Sequence, residues 1–285
     1  MTDFGGLPEE FTNEHSAGIA ILPVPYDGTS TWIKGSDKGP DAIMEASSNM
    51  ELYDIETGTE VYRRGIFTAP AITERSSPEK MVGTVAERVR HFLDKGKFPV
   101  VIGGEHSVSI GSIQAFASHY PQLSVLQLDA HSDLRNEYEG SANNHACVMA
   151  RAKEIASIVQ VGIRATDSGE LPAMDMERVF FAHQIHGSDK WMDQAVGLLA
   201  DNVYITIDLD VFDPAIMPST GTPEPGGMGW YQCLGLIEKV IAARRVVGFD
   251  VVELCPSESN KAPDFMAAKL IYRILSMKFS KYEPA

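Results

Sequence analysis

The sequence predicts an α/β protein built on a mainly parallel sheet with helices over both faces. Three observations carry that expectation. Apolar runs of strand length, bounded by turn residues, alternate about eight times with helix-length amphipathic segments, the pattern of strands joined by helical crossovers. The near-continuous apolar character of Val125–Leu128 and Val203–Ile207 suits strands buried on both sides. No linker, repeat or low-complexity stretch divides the chain, so residues 1–285 read as one domain with residues 1–17 as an N-terminal extension. A single α/β domain of this length can bury a large core. Alternation alone leaves open whether the sheet stays open or closes into a barrel.

In chain order, strand Gly18–Val24 is an apolar run and leads to an amphipathic segment, Pro40–Ile55, opened by proline. Gly65–Thr68 is a short second strand, followed by the amphipathic helix Pro78–Lys95. Strand Phe98–Gly103 leads into helix His106–His119, and strand Leu123–Asp129 into helix His145–Ile155. Strands Ser157–Gly162 and Arg178–Ala182 precede helix Asp189–Leu199. Asn202–Asp208 with helix Gly229–Ala243, then Val246–Glu253 with helix Pro263–Phe279, complete the alternation.

Composition limits the partners. The formal net charge of −15 argues against nucleic acid or an anionic membrane and is compatible with a cationic ligand. Three scattered cysteines form neither a disulfide framework nor a zinc spacing, as expected in a reducing cytoplasm. Met1–Gly18 is polar and acidic, unlike a signal peptide, and no apolar run approaches the length of a bilayer span. The expectation is a soluble cytoplasmic protein.

Ligands of parallel α/β folds lie beyond the carboxyl ends of the strands, and three polar groups follow apolar runs here. In Asp129-Ala130-His131-Ser132-Asp133, alternate side chains of an extended segment would share one face and repel one another unless a cation sat between them. The bland alternative is a polar strand end capping the next turn. Gly103-Gly104-Glu105-His106-Ser107 permits a sharp exit from a strand with His106 at a helix start, where Glu105 or Ser107 could equally be a simple cap. Asp208 and Asp210 alternate at the end of a third buried run, while Asp213 before Pro214 reads as a turn residue. Two histidines and four aspartates exceed the needs of one structural zinc. They match two divalent ions sharing carboxylates, with oxygen-rich ligation and imidazoles favouring manganese. A pair of such ions could hold and acidify a bridging water. Cys147, close to His145, is taken as a small packing residue.

These segments, with Gly221-Thr222-Pro223-Glu224-Pro225-Gly226-Gly227, resemble the ureohydrolase (arginase and agmatinase) family, in matching order from about Pro23 to the last helix. The resemblance implies a three-layer α/β/α sandwich with an eight-stranded sheet, usually assembled as a homo-trimer or hexamer. It implies one manganese held by His106, Asp129, Asp133 and Asp208, and another by Asp129, His131, Asp208 and Asp210. Asp129 and Asp208 would bridge the two. It further implies hydrolysis of a guanidinium group to urea and an amine. Glu253 would then pair with the guanidinium, Asp133 would protonate the leaving amine, and His145 would shuttle protons and position substrate. An ion pair between Glu253 and Arg164 is the alternative role for that carboxylate. Tyr26–Ser30 and Trp32–Pro40 resemble the family's loop at the active-site entrance, although glycine and proline there could be plain turn residues.

The loop Leu134–Gly140 and Asn143–Cys147 resembles the agmatinase branch rather than the arginine-specific one, and Pro225 points the same way. Agmatine, cleaved to putrescine and urea, is the expected substrate. Arginine, guanidinobutyrate and aminopropylagmatine are alternatives, because Asn144 stands where many relatives have Ser. Acidic Glu137, Glu139 and Glu170 could favour a substrate ending in ammonium. A zinc-dependent polyamine deacetylase and a catalytically inactive metal-binding relative are the remoter readings.

Overall fold

The structure, a computed structural model, describes residues 3–280; the remaining residues of the expected 1–285 domain lie outside the described residues. Eight parallel strands form one open sheet: β1 Ile19–Val24, β2 Ile66–Thr68, β3 Phe98–Gly103, β4 Leu123–Leu128, β5 Ser157–Ile163, β6 Val179–Phe181, β7 Asn202–Asp208 and β8 Arg245–Val252. Their spatial order is β2-β1-β3-β8-β7-β4-β5-β6, so the sheet has two edges and is not a barrel. Eight α-helices flank it: α1 Gly39–Ser47, α2 Pro78–Asp94, α3 Val108–His119, α4 Val148–Lys153, α5 Ala182–Ile185, α6 Lys190–Gly197, α7 Trp230–Ala243 and α8 Ala262–Phe279.

The two-residue period of each strand divides the core into two apolar layers. Ile19, Ile21, Leu126 and Leu128 pack with α1, α6, α7 and α8. Ala20, Leu22, Leu123 and Val125 pack on the opposite face with α2, α3 and α4. This is the expected three-layer sandwich, and it explains why the central strands read as unbroken apolar runs.

Order in the sheet decides where the chemistry falls. After β3 the chain jumps aside to build β4, β5 and β6, then returns to insert β7 and β8 between β4 and β3. The four central strands are therefore β3, β8, β7 and β4, and His106, Glu253, Asp208 and Asp129 follow or end them. That reversal is the crevice where open α/β sheets bind ligands.

All eight expected strands are present within a residue or two of their expected ends. Three segments differ. α1 stops at Ser47 rather than Ile55, because the Ser47 and Ser48 hydroxyls and the Asn49 amide bond back to the carbonyls of Met44 and Glu45 and close the last turn. The helix expected from His145 begins as a 3-10 turn, His145–Cys147, capped by Asn144, whose side chain accepts from the Ala146 amide at 3.0 Å. Asp129–Asp133 does not continue the strand: β4 ends at Leu128, His131 makes only an isolated parallel bridge to Ala165, and Asp133 adopts φ 52°.

Candidate active site

Turn geometry, rather than strand alternation, brings the acidic groups together. The β3–α3 turn depends on Gly104, where an added Cβ would lie 2.0 Å from the Tyr26 carbonyl oxygen. Gly104 donates to the Val24 carbonyl and accepts from the Glu253 amide, each at 2.8 Å, so the ends of β1, β3 and β8 are tied together. His106 follows in this turn. Its Nε2 lies 2.9 Å from the Thr206 hydroxyl, which donates to Asp250 at 2.7 Å. Thr206 thus accepts from Nε2–H and leaves the Nδ1 lone pair facing the site.

Nδ1 of His106 is buried without a hydrogen-bond partner. It lies 3.1 Å from Asp129 Oδ2, 3.0 Å from Asp133 Oδ2 and 3.5 Å from Asp208 Oδ2. It aims among three carboxylates rather than at one. Donor separations of about 3 Å are the edges of an octahedron with bonds of about 2.1 Å, which suits a small divalent cation. His131 Nδ1 lies 2.9 Å from Asp210 Oδ2 and 3.7 Å from Asp129 Oδ1. Two donor groups able to hold a metal ion result, His106/Asp129/Asp208 and Asp129/His131/Asp210. Asp129 belongs to both; Asp133 joins the first through His106, and Asp208 stands in the first.

Electrostatics show how costly these charges are without a cation. Burial and the neighbouring Asp129 charge push Asp133 up to about 7. Burial, then Asp210 and Asp129, raises Asp208 well above the carboxylate range. Burial acts against Asp129 too, but the adjacent imidazoles of His106 and His131 win and hold it ionised. Supporting groups fix the carboxylates: the Gln127 amide donates to Asp129 Oδ2 at 2.7 Å, the Ala130 amide to Asp210 Oδ1 at 3.0 Å, and the Asp210 amide to Asp208 Oδ1 at 2.9 Å.

Beside these groups opens a cavity of about 350 Å³, lined among others by Asp133, His145, Glu253, Thr31, Asp167 and Glu224. Glu253 has φ 67° and accepts from the His106 amide at 2.7 Å. Burial, then the nearby Glu105 charge, raises its pKa well above the usual range. Arg164 is not its partner, because that guanidinium is spent on the carbonyls of Gly162, Asp210, Phe212 and Glu224. Non-glycine residues at positive φ cost energy and cluster at functional sites, and both Asp133 and Glu253 have this conformation. Burial pulls His145 down to about 4, helped by positive charge at His106 and His131, so it is neutral near pH 7.

The expected site residues His106, Asp129, His131, Asp133, Asp208, Asp210, His145 and Glu253 thus lie in or beside one cavity. Glu170 lines it as well but is occupied by Ser132, Leu134 and Asp167. Exposed Glu137 and Glu139 do not line it. Asp167 and Thr31 escape a sequence reading, whereas Glu224 lies in the quoted Gly221–Gly227 motif and Thr29 in the Tyr26–Ser30 loop, neither with a role assigned to it there. Cys147 is buried, and burial pushes its thiol up to about 11, as suits a packing residue.

A model of the arginase family matches residues 17–276. The chain belongs to the arginase family. Two family relatives are N(1)-aminopropylagmatine ureohydrolases: one from Synechocystis sp. is 36% identical, covering 94% of this chain and 91% of that one. The other, from Thermus thermophilus, is 37% identical over 95% and 93% of the two chains. The crystal structure of agmatine ureohydrolase from Thermoplasma volcanium superposes with a TM-score of 0.89 at 31% identity, covering 99% of this chain and 96% of that one. The arginase fold accordingly spans nearly the whole chain.

Proposed function

We propose that this chain hydrolyses the guanidino group of a cationic, amine-ended substrate, agmatine foremost, to urea and an amine. The observation that carries the reading is the Glu253 carboxylate beside two carboxylate–imidazole donor groups in one cavity. A planar guanidinium is bound best by a carboxylate that accepts its paired N–H groups. Two divalent cations, manganese by the oxygen-rich donor set with imidazoles, fit the sites, and when bound supply the Lewis acidity that makes water nucleophilic near neutral pH. His106, Asp129, Asp133 and Asp208 would hold one, and Asp129, His131, Asp208 and Asp210 the other.

Glu253 orients the guanidinium carbon towards the donor groups. Asp133, a carboxylate at the edge of the donor groups, would relay a proton to the departing amine nitrogen. His145, neutral at working pH, carries protons between the cavity and solvent and positions the substrate. Glu224 lines the cavity; its backbone carbonyl accepts from Arg164, while its carboxylate has no ionic or hydrogen-bond partner among the described residues and is available to a distal ammonium.

Aminopropylagmatine is the second reading, favoured by the names of the two relatives above. The enzyme is proposed to be a single catalytic domain, cytoplasmic, and a homo-trimer or hexamer. Manganese-loaded protein incubated with agmatine, aminopropylagmatine, arginine and guanidinobutyrate should release urea, with the highest kcat/KM on an amine-ended substrate. Absence of urea from all four, or acetate release from acetylated polyamines instead, would sink the reading.

A further inference from the structure

Arg164 carries a permanent charge yet meets no carboxylate among the described residues. Its guanidinium donates instead to backbone carbonyls of three separate segments. Nη1 reaches Gly162 at 3.1 Å, near the end of β5. Nη2 reaches Asp210 at 2.5 Å and Phe212 at 3.3 Å, in the turn after β7. Nε and Nη2 both reach Glu224, at 3.2 and 2.8 Å. A guanidinium can only donate and a carbonyl only accept, so the direction of every bond is fixed whatever the protonation of the neighbouring site. The main chain of the same residue holds a fourth segment, since the Arg164 amide donates at 2.8 Å to the carbonyl of Ala130, between Asp129 and His131.

Glu224 lies between Pro223 and Pro225, which bring no N–H of their own and hold the residue before Pro225 extended. The far end of this loop is pinned separately, by Asp213 Oδ2, which accepts from the Gly226 and Gly227 amides at 2.9 and 3.1 Å. Among the described residues, Arg164 alone fastens Glu224 itself, at the point from which that residue lines the cavity. We infer that Arg164 is a positioning residue that sets the distance between the Asp210 turn and Glu224, so that the cavity measures the separation of the guanidinium from the distal ammonium of its substrate. The inference rests on the reading of Glu224 as the acceptor of that ammonium.

Arg164→Lys keeps the charge but offers one donor nitrogen in place of a planar fork, and so cannot hold all three segments at once. The probes are agmatine and its homologues with one methylene fewer or more. With manganese-loaded protein, the wild type should favour one chain length, and Arg164→Lys should reduce that preference about tenfold, through KM more than kcat. Glu224→Gln should reduce it too, and the double variant should show no further change. A reduction in Glu224→Gln but not in Arg164→Lys would overturn the inference and leave the ammonium reading standing; no length preference in the wild type, or no change in either variant, would overturn both. The second measurement needs no turnover. Amide hydrogen exchange of residues 221–228 should be several-fold faster in Arg164→Lys, with α2 exchanging as in the wild type. Unchanged exchange in the loop, or an equal acceleration in α2, would overturn the inference even if no guanidine tested gave urea.

Discussion

Asp129 is the residue on which both donor groups depend, since one carboxylate serves each. Asp129→Asn should remove bound metal and activity together, measured by metal analysis and urea release; two ions retained with full turnover would contradict the sharing. Glu253 is proposed to act on substrate instead. Glu253→Gln should leave metal content intact and lower kcat/KM by roughly 10- to 150-fold, the loss of about 1.5–3 kcal/mol expected for a charged hydrogen bond. A change below twofold would refute the pairing. Asp133 gives the pH dependence. Its carboxyl titrates near 3.8 when unperturbed and at about 7 in the metal-free fold. Between those values the folded chain holds a proton that the unfolded chain has lost, so metal-free stability falls as pH rises through this window and levels off above it. A cation displaces that proton. The rise in Tm on adding manganese should therefore be larger at about pH 7.5 than at about pH 5.5, and equal rises would contradict this. At this scale the aspartates and histidines were legible in the sequence because unpaired acidic groups after apolar runs need a cation. The contact of Thr29 with His145 was not, because nothing local ties a loop threonine to a histidine 116 positions away.

Elements place these residues. The turn at Gly104 ties three strand ends together within the space a methyl group would need. Gly104→Ala should cost roughly 2 kcal/mol or more by overpacking, seen as a Tm lowered by several degrees and weakened metal binding; wild-type values for both would show that the turn tolerates the methyl. Strands were legible because burial on both faces leaves an unmistakable apolar run, as in Val203–Ile207. Helix ends were less so. The early stop of α1 depends on hydroxyls bonding backwards, and serine can do that or remain solvated. The path of Asp129–Asp133 was misread for a related reason. The positive φ of Asp133 is imposed by the surroundings: its carbonyl accepts from the Met149 and Ala150 amides at the start of α4, at 3.0 and 3.1 Å.

Across the whole molecule, the late insertion of β7 and β8 gathers segments more than a hundred residues apart into one crevice. Alternation of strands and helices revealed the layers, and the family resemblance the eight-stranded sandwich, but strand order is a long-range property that no window of sequence contains. Among the described residues, no helix is long and apolar enough to cross a membrane. Trp32, Ile55, Met176 and Tyr231 are each more than half exposed. Sedimentation should give a trimer or hexamer, and a monomer at micromolar concentration would refute that expectation. The central claim is that this crevice is a two-cation site for guanidine hydrolysis. Its most direct test is to titrate manganese into chelator-treated protein while following urea released from agmatine. Urea production should rise to a plateau at two ions per chain with one amine formed per urea. No urea from agmatine at any loading, or full activity at one ion per chain, would contradict the account.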